Sequence, residues 1–272
     1  MAGDRNGDLV RLWFDVARRS FRRWSTYRMA TVAGVITNTA FGYLRADILL
    51  AVFAASTTEP GGWTSAELVT FAFVTQALLA GTGAFGEPEL AERIRSGDVV
   101  VDLYRPVDVQ WWWLASWCGR STYQLVARGI PPVLLGAIAF DLVLPTSPGG
   151  WAVAAVSVAL ATLVGFGIRF CSNLTAFWLL DNRGLDQIVT LVLTFFGGLL
   201  VPIVLFPPWL ETVARWSPFA AMVQVPAELT MGVYDGPAWN GLATQAAWVV
   251  ALLLLGRAML AGATRKVVVQ GG

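Results

Sequence analysis

The chain has 272 residues, of which 56% are hydrophobic and 14% charged, and its formal net charge is +1. A soluble domain carries about a quarter charged residues, so this composition excludes an ordinary soluble protein and predicts an all-α integral membrane protein. The chain contains no histidine, which removes the commonest general base and metal ligand. Its one lysine, Lys266, lies near the C-terminal end and outside any phosphate-binding loop motif, so we predict no catalytic site, no metal site and no ATP hydrolysis by this chain.

The first predicted element is an amphipathic helix over residues 9–27. Apolar residues recur there at close to helical spacing, and five arginines occupy the opposite face, namely Arg11, Arg18, Arg19, Arg22 and Arg23. A basic amphipathic helix of this kind is typical of the cytoplasmic membrane interface, where it also anchors the span that follows.

Six apolar stretches predict six membrane-spanning helices, since a span needs roughly 20 apolar residues. Two lie within 29–86, three within 111–206 and one over 239–260. The approximate bounds are Met29–Ala55, Ala66–Phe85, Ser121–Leu144, Trp151–Leu180, Ile188–Phe206 and Trp239–Leu260. Arginines collect at both termini and in the loops after the second and fourth spans, with Arg215 alone on the other side. The positive-inside rule therefore predicts that both termini are cytoplasmic.

The first predicted span contains two charged residues, Arg45 and Asp47. Two positions apart on a helix, they cannot face each other. Each needs a partner elsewhere or access to water, because charges inside a membrane are costly. Two interpretations stay open: the pair serves the transport pathway, or both side chains reach one membrane face.

The segment 87–109 is the longest strongly charged interruption of the apolar sequence and must lie outside the lipid. Pro88 at a first-turn position, acids before bases, and Ser96-Gly97 at the end predict a short helix. The valine-rich run that follows, up to the break at Pro106, predicts an extended segment. A charged unit of this size outside the membrane is suited to contact with a soluble partner.

The second long interruption, 207–238, is apolar and rich in tryptophan. Breaks at Ser217-Pro218 predict two short helices, roughly Pro208–Trp216 and Ala220–Gly232. An apolar hairpin too short to span predicts a re-entrant or outer interfacial element buried against protein.

Several segments resemble permeases of the ABC-2 type, and within that class the branch of bacterial viologen-exporter-like permeases. The segments that carry the resemblance are NTAFGYLRADILL (38–50), ELAERIRSGDVVVDLYRPVDVQWWWLA (89–115), FWLLDNRGLDQ (177–187), GLLVPIVLFPPWL (198–210), PFAAMVQVPAELTMG (218–232) and RKVVVQGG (265–272). The most specific are the I-x-x-G-D-x-x-x-D-L-x-R-P pattern from Ile94 to Pro106 and the LFPPWL segment from Leu205 to Leu210.

The resemblance implies the six-helix type V exporter fold, in which 9–27 is the connecting helix and 207–238 closes the exit. It also implies that the start of 87–109 holds a coupling helix, which docks in a groove of a cytoplasmic ATPase. The coupling residues it implies are Glu87, Glu89, Glu92, Arg93, Arg95, Asp98 and Arg105.

Pathway residues are not marked by any motif. Our candidates are Arg45, Asp47, Phe71, Phe73 and Gln76. Asp47 would neutralise a cationic substrate and the phenylalanines would offer cation–π faces, while the alternative is that the phenylalanines are plain core or lipid contacts.

The resemblance implies a permease subunit of an ATP-driven exporter in the bacterial cytoplasmic membrane. ATP and Mg²⁺ would bind to a separate ATPase dimer, and a second permease would complete the pathway, with a heterodimer favoured over a homodimer. The substrate would be drug-like, cationic or amphipathic; lipids are further partners and nucleic acid is not one. The alternative function is a secondary carrier or assembly factor without an ATPase.

Overall fold

The structure is a computed structural model that describes residues 5–85, 88–179 and 181–270, with side chains described between residues 7 and 264 of those ranges. That part of the chain is built from α-helices and contains no β-strand. In chain order the helices are α1 (Arg5–Ser25), α2 (Arg28–Ala55), α3 (Ser65–Thr82), α4 (Glu89–Ser96), α5 (Val99–Tyr104), α6 (Val109–Gln124), α7 (Ile130–Ala139), α8 (Pro148–Leu174), α9 (Arg183–Phe196), α10 (Pro208–Arg215), α11 (Pro218–Met222), α12 (Gln224–Met231) and α13 (Ala238–Gln270).

Among the described residues, four helical stretches are long and apolar enough to cross a membrane. They are Arg28–Ala55, Ser65–Thr82, Pro148–Phe177 and Ala238–Thr264. These stretches correspond to the first, second, fourth and sixth predicted spans, so the prediction of an all-α multi-pass membrane protein is confirmed. The number of six spans stays a prediction, because the third and fifth apolar stretches are not single regular helices.

The third apolar stretch begins earlier than predicted. The helix starts at Val109, not near Ser121, because the Asp108 carboxylate caps it by accepting from the Trp111 backbone N–H at 2.9 Å. The tryptophan-rich sequence thus forms the first turns of α6. A π-helical turn, Leu125–Gly129, joins α6 to α7, and the two prolines follow it in the first turn of α7, where proline is tolerated.

The fifth apolar stretch is helical only as far as Phe196. Gly198 then takes a positive φ of 79°, and a Cβ at this position would overlap the side-chain oxygen of Gln224. That oxygen accepts from the Ile203 backbone N–H at 3.2 Å. At Gly198 and Ile203 the irregular backbone is therefore packed against the buried Gln224 side chain, as expected for non-helical backbone within a membrane protein.

The extended segment predicted after Gly97 is wrong, because residues 99–104 form the helix α5. Gly97 has a φ of 85°, which turns the chain back and ends α4. Val99 is buried against α4. A strand here would leave its backbone groups unpaired, because the described chain contains no partner strand, whereas the helix α5 pairs them internally. Burial and hydrogen bonding thus outweigh the β-propensity of three consecutive valines.

The core lies around α3 and α8. Phe71 and Phe73 on α3 are completely buried beside α2 and α7, and Phe166 and Phe170 on α8 pack with Trp117 at the other end. Glycines allow the helices to approach closely. A Cβ at Gly165 of α8, for example, would overlap the Thr82 carbonyl oxygen of α3.

The amphipathic helix α1 packs along α6. A Cβ at Gly119 would overlap the Ala17 carbonyl oxygen, so the two backbones are in contact. Ser20 Oγ donates to the Ser116 carbonyl at 2.7 Å, and the rings of Phe21 and Tyr123 meet edge to face at 5.4 Å. The helix predicted over 9–27 is confirmed as a helix, and its placement in the membrane interface stays a prediction.

The predicted apolar hairpin is helical, and its second arm is divided at Val223 into α11 and α12. Arg215 ties the two arms together, donating to Glu211 at 2.8 Å and to the buried Glu228 at 3.1 Å. Gln224 also donates to Glu228, at 2.8 Å. This network holds the hairpin against the irregular end of the fifth apolar stretch.

Candidate coupling site

The helix α4 is short, and its sequence accounts for both of its ends. Glu89 and Glu92 lie in the first turn and Arg93 and Arg95 in the last, which matches the helix dipole. Leu90 is buried in the cluster that holds Trp117 and Leu174. The helix therefore presents one face to the transmembrane core and the other to solvent.

An ion-pair cluster joins α4 to α5. Asp102 is nearly inaccessible and accepts from Arg93 Nε at 2.8 Å and Nη2 at 3.2 Å. Arg105 Nη1 lies 3.1 Å from the same carboxylate, and its guanidinium stacks over the Trp112 ring at 4.6 Å. Two arginines on one buried carboxylate make α4, α5 and the start of α6 one rigid unit.

Glu89 connects this unit to the N-terminal helix. Its carboxylate accepts from Arg23 Nη1 of α1 at 3.1 Å. The hydrogen bond and the charge of Glu89 raise the pKa of the Arg23 guanidinium above its usual value. Because both side chains are largely exposed, this pair fixes orientation more than it contributes stability.

Arg95 connects α4 to the loop between α8 and α9. Its Nη1 lies 3.3 Å from Asp181 and 3.4 Å from the side-chain oxygen of Asn182. Asn182 is buried and donates to the Ser172 carbonyl of α8 at 3.4 Å. A displacement of α4 would therefore pull on the junction of two apolar helices.

Arg169 of α8 lies at the centre of the next part of the network and is 1% exposed. Its Nε donates to the Gly83 carbonyl at 3.0 Å, and its Nη2 donates to the Ala84 carbonyl, both just after the end of α3. Its Nη1 lies 2.9 Å from Asp186 of α9. One guanidinium thus joins the ends of α3, α8 and α9 on the side where α4 lies.

The solvent-facing surface of α4 and α5 combines acidic and apolar groups. The Glu92 carboxylate is exposed and forms no ion pair with any described residue. On α5, Val101 is 57% exposed and Tyr104 is 85% exposed. A protruding tyrosine beside an exposed valine is typical of a protein contact.

The predicted coupling residues thus fall into two groups. Glu89, Arg93, Arg95 and Arg105 pair within the chain, as given above. Glu92 and Asp98 are exposed, and Asp98 accepts from Ser96 Oγ at 2.8 Å. Glu87 lies outside the described residues.

The pathway candidates are not brought together. Arg45 Nη1 donates to Thr75 of α3 at 2.8 Å, whereas Asp47 lies on the exposed face of α2. Phe71 and Phe73 are completely buried in the core and Gln76 is buried on α3. Their role in transport stays a prediction.

Sequence reasoning missed the residues that organise the network, Arg169, Asp186 and Asp102, and also the exposed Tyr104. The signal for Arg169 was present, since an arginine inside an apolar stretch must have partners. Tyr104 was missed because its segment was expected to be extended. No group of side chains suited to hold a metal ion occurs among the described residues.

Comparisons with known proteins agree with a transport role. A comparison with the sequences of curated proteins finds no match. The family model for ABC-2 family transporter proteins matches residues 40–271, which include every predicted span except the start of the first. The chain therefore belongs to the ABC-2 family of transporter proteins and is a membrane-spanning permease of an ABC transporter.

Proposed function

We propose that this permease is an exporter subunit whose α4–α5 unit docks on a cytoplasmic ATPase dimer. The main supporting observation is that most charges of this unit are paired with other residues of the chain, whereas Glu92, Val101 and Tyr104 are exposed on one rigid body. ATP and Mg²⁺ bind to the ATPase. An acidic side chain and an aromatic anchor on a rigid support suit selection of one partner surface.

The polar network supports a mechanical route from this unit to the spans. When the ATPase dimer closes, it moves α4, and Arg95 passes the force to Asp181 and Asn182. Arg169 links the ends of α3 and α9 to the same region. The spans move together because Arg169 and Asn182 are buried and hydrogen-bonded, so the joint resists bending.

The substrate that we propose is a cationic or amphipathic drug-like molecule moved outward from the cytoplasm or the inner leaflet. Asp47 supports this proposal. Its carboxylate lies on the exposed face of α2 without an ion-pair partner among the described residues. We further propose that a second permease, in a heterodimer, covers part of this face, and that the pair lies in the bacterial cytoplasmic membrane with both termini inside.

The docking proposal is tested with Tyr104→Ala and Glu92→Arg in the permease produced together with its ATPase. We expect each variant to reduce co-purification of the ATPase and permease-stimulated ATP hydrolysis, since an anchor tyrosine contributes about 2 kcal/mol or more to a contact. Trp209→Ala is the control, because Trp209 is also a prominent aromatic residue, 69% exposed on the outer hairpin. Wild-type co-purification and ATPase activity in both docking variants would refute the proposed docking surface.

The substrate proposal is tested separately with Asp47→Asn. We expect reduced export of a permanently charged dication and unchanged export of a neutral amphipathic dye. Asp235→Asn in an outer loop is the control for a lost surface charge. Unchanged dication export would dismiss the role of Asp47 and leave the docking surface untouched.

A further inference from the structure

A second polar site lies apart from the network around Arg169. It is a pocket of about 190 Å³ between the end of α1, the start of α2 and the third apolar stretch. Its lining residues are Arg23, Trp24, Tyr27, Ala30, Thr31, Tyr123, Gln124 and Arg128. Its volume is several times the ~30 Å³ of a water molecule in the liquid, which is enough for a small ionic group.

Arg128 is the unusual member of this pocket. It lies in the π-helical turn, and its guanidinium crosses α2 at Gly34, where a Cβ would overlap it. Nη1 makes one long hydrogen bond, 3.4 Å, to Gln124, and the buried Nε has no hydrogen-bond partner in the described structure. No described carboxylate pairs with Arg128. A cation placed in this way at a membrane helix calls for an anion.

The other lining groups suit an oxyanion. Thr31 Oγ1 lies 2.7 Å from the Tyr123 hydroxyl and 3.0 Å from the Tyr27 carbonyl oxygen, so the two hydroxyls share one hydrogen bond at the wall of the pocket. Arg23 supplies a second guanidinium. Its ion pair with Glu89 neutralises its charge only in part, because the Arg23 side chain is 60% exposed. Two guanidiniums with one hydroxyl donor are well suited to phosphate oxygens, because charge-assisted hydrogen bonds are the strong ones.

The surroundings favour a lipid over a free ion. The pocket lies at the first turns of α2, on the side where the arginine distribution predicts the cytoplasm. Exposed apolar side chains flank it on both helices, Met29 and Val32 on α2 and Val126 and Ile130 on the third stretch. A pocket that holds two arginines and is bordered by apolar helix surfaces fits a lipid headgroup with its acyl chains alongside.

We propose that this pocket binds the phosphate group of an anionic phospholipid from the cytoplasmic leaflet. Arg128 and Arg23 would hold the phosphate oxygens, and the Tyr123 hydroxyl would donate to them while it accepts from Thr31. Trp24 and Tyr27 would lie at headgroup level, where such rings are enriched. This site does not depend on the proposed substrate or on the docking surface.

The test is native mass spectrometry of the purified protein in detergent, titrated with phosphatidylglycerol or with phosphatidylcholine. We expect wild-type protein to retain phosphatidylglycerol in preference to phosphatidylcholine. Arg128→Gln should weaken phosphatidylglycerol binding about tenfold or more, since one charge-assisted contact is worth roughly 1.5–3 kcal/mol. Arg18→Gln is the matched control, because Arg18 is an exposed arginine of α1 that does not line the pocket.

Arg23→Gln provides a second test should Arg128→Gln fail to fold, because Arg23 is mostly exposed and its loss spares the core. It should also weaken phosphatidylglycerol binding, while the control keeps wild-type binding. Equal binding of the two lipids by wild-type protein, or equal phosphatidylglycerol binding by wild-type and the folded pocket variants, would overturn the proposal. Displacement of phosphatidylglycerol by millimolar inorganic phosphate would identify a free-anion site and overturn the lipid assignment.

Discussion

Replacing Arg169 by methionine is the sharpest test of the network that joins α3, α8 and α9. Methionine has a long, apolar side chain that carries no hydrogen-bond donor. The Gly83 and Ala84 carbonyls and the Thr190 hydroxyl then lose the guanidinium, which donated to Gly83 and Thr190 at 3.0 Å each. Asp186 loses its 2.9 Å ion pair.

The expected loss is about 3 kcal/mol in the free energy of unfolding. Breaking a buried ion pair by removing one partner costs roughly 3–5 kcal/mol. The lower end applies because the Asp186 side chain is 26% exposed and still accepts from Ser172 at 3.1 Å, so it is partly solvated and hydrogen-bonded in the variant. Asp186→Asn removes the counter-charge of Arg169 but keeps an oxygen that can accept its hydrogen bond, so it should cost less, about 1.5–3 kcal/mol.

The assay is unfolding in mixed micelles with rising sodium dodecyl sulfate, followed by helical circular dichroism. The double variant Arg169→Met/Asp186→Asn should lose at least about 1 kcal/mol less than the sum of the single variants, because they share one interaction. Arg257→Met is the control. Arg257 pairs with Asp108 at the surface, so its loss should cost at most about 1 kcal/mol. A cost for Arg169→Met no larger than that of the control would refute the reasoning.

Two further predictions concern helix packing. Gly119→Ala should lower the free energy of unfolding by about 1–3 kcal/mol and speed proteolytic removal of α1, because the added methyl group overlaps the Ala17 carbonyl oxygen. Gly149→Ala is the control, because a Cβ at that position meets no atom of the described chain closer than 3.9 Å. Equal proteolysis rates for the two variants would contradict the prediction. Gln245→Leu should lower the free energy of unfolding by about 2 kcal/mol, because the buried amide donates to the Ser157 and Ala221 carbonyls at 3.1 and 2.9 Å. Gln187→Leu is the control, because Gln187 is exposed. An equal free energy of unfolding for the two variants would count against this prediction.

Much of the architecture could be predicted from local sequence. The α4 helix was predicted with its end at Ser96-Gly97, because dipole-matched charges and a glycine are local signals. The start of the third stretch was missed, because Asp108 caps the helix before the tryptophans and so includes them in its first turns. Hydropathy alone does not reveal a helix cap. The α5 helix was missed because the partner that buries Val99 is supplied by another part of the fold.

The candidate site shows the same division. The sequence by itself determined that the chain is an all-helical membrane protein without a histidine or a phosphate-binding lysine, and it predicted that one charged segment lies outside the lipid. These properties follow from composition and from the cost of placing charge in hydrocarbon. Only the tertiary structure decided that Arg93, Asp102 and Arg105 pair with one another and that Tyr104 protrudes. The Arg93–Asp102 pair brings together groups from separate helices, and no spacing along the chain encodes the distance between them.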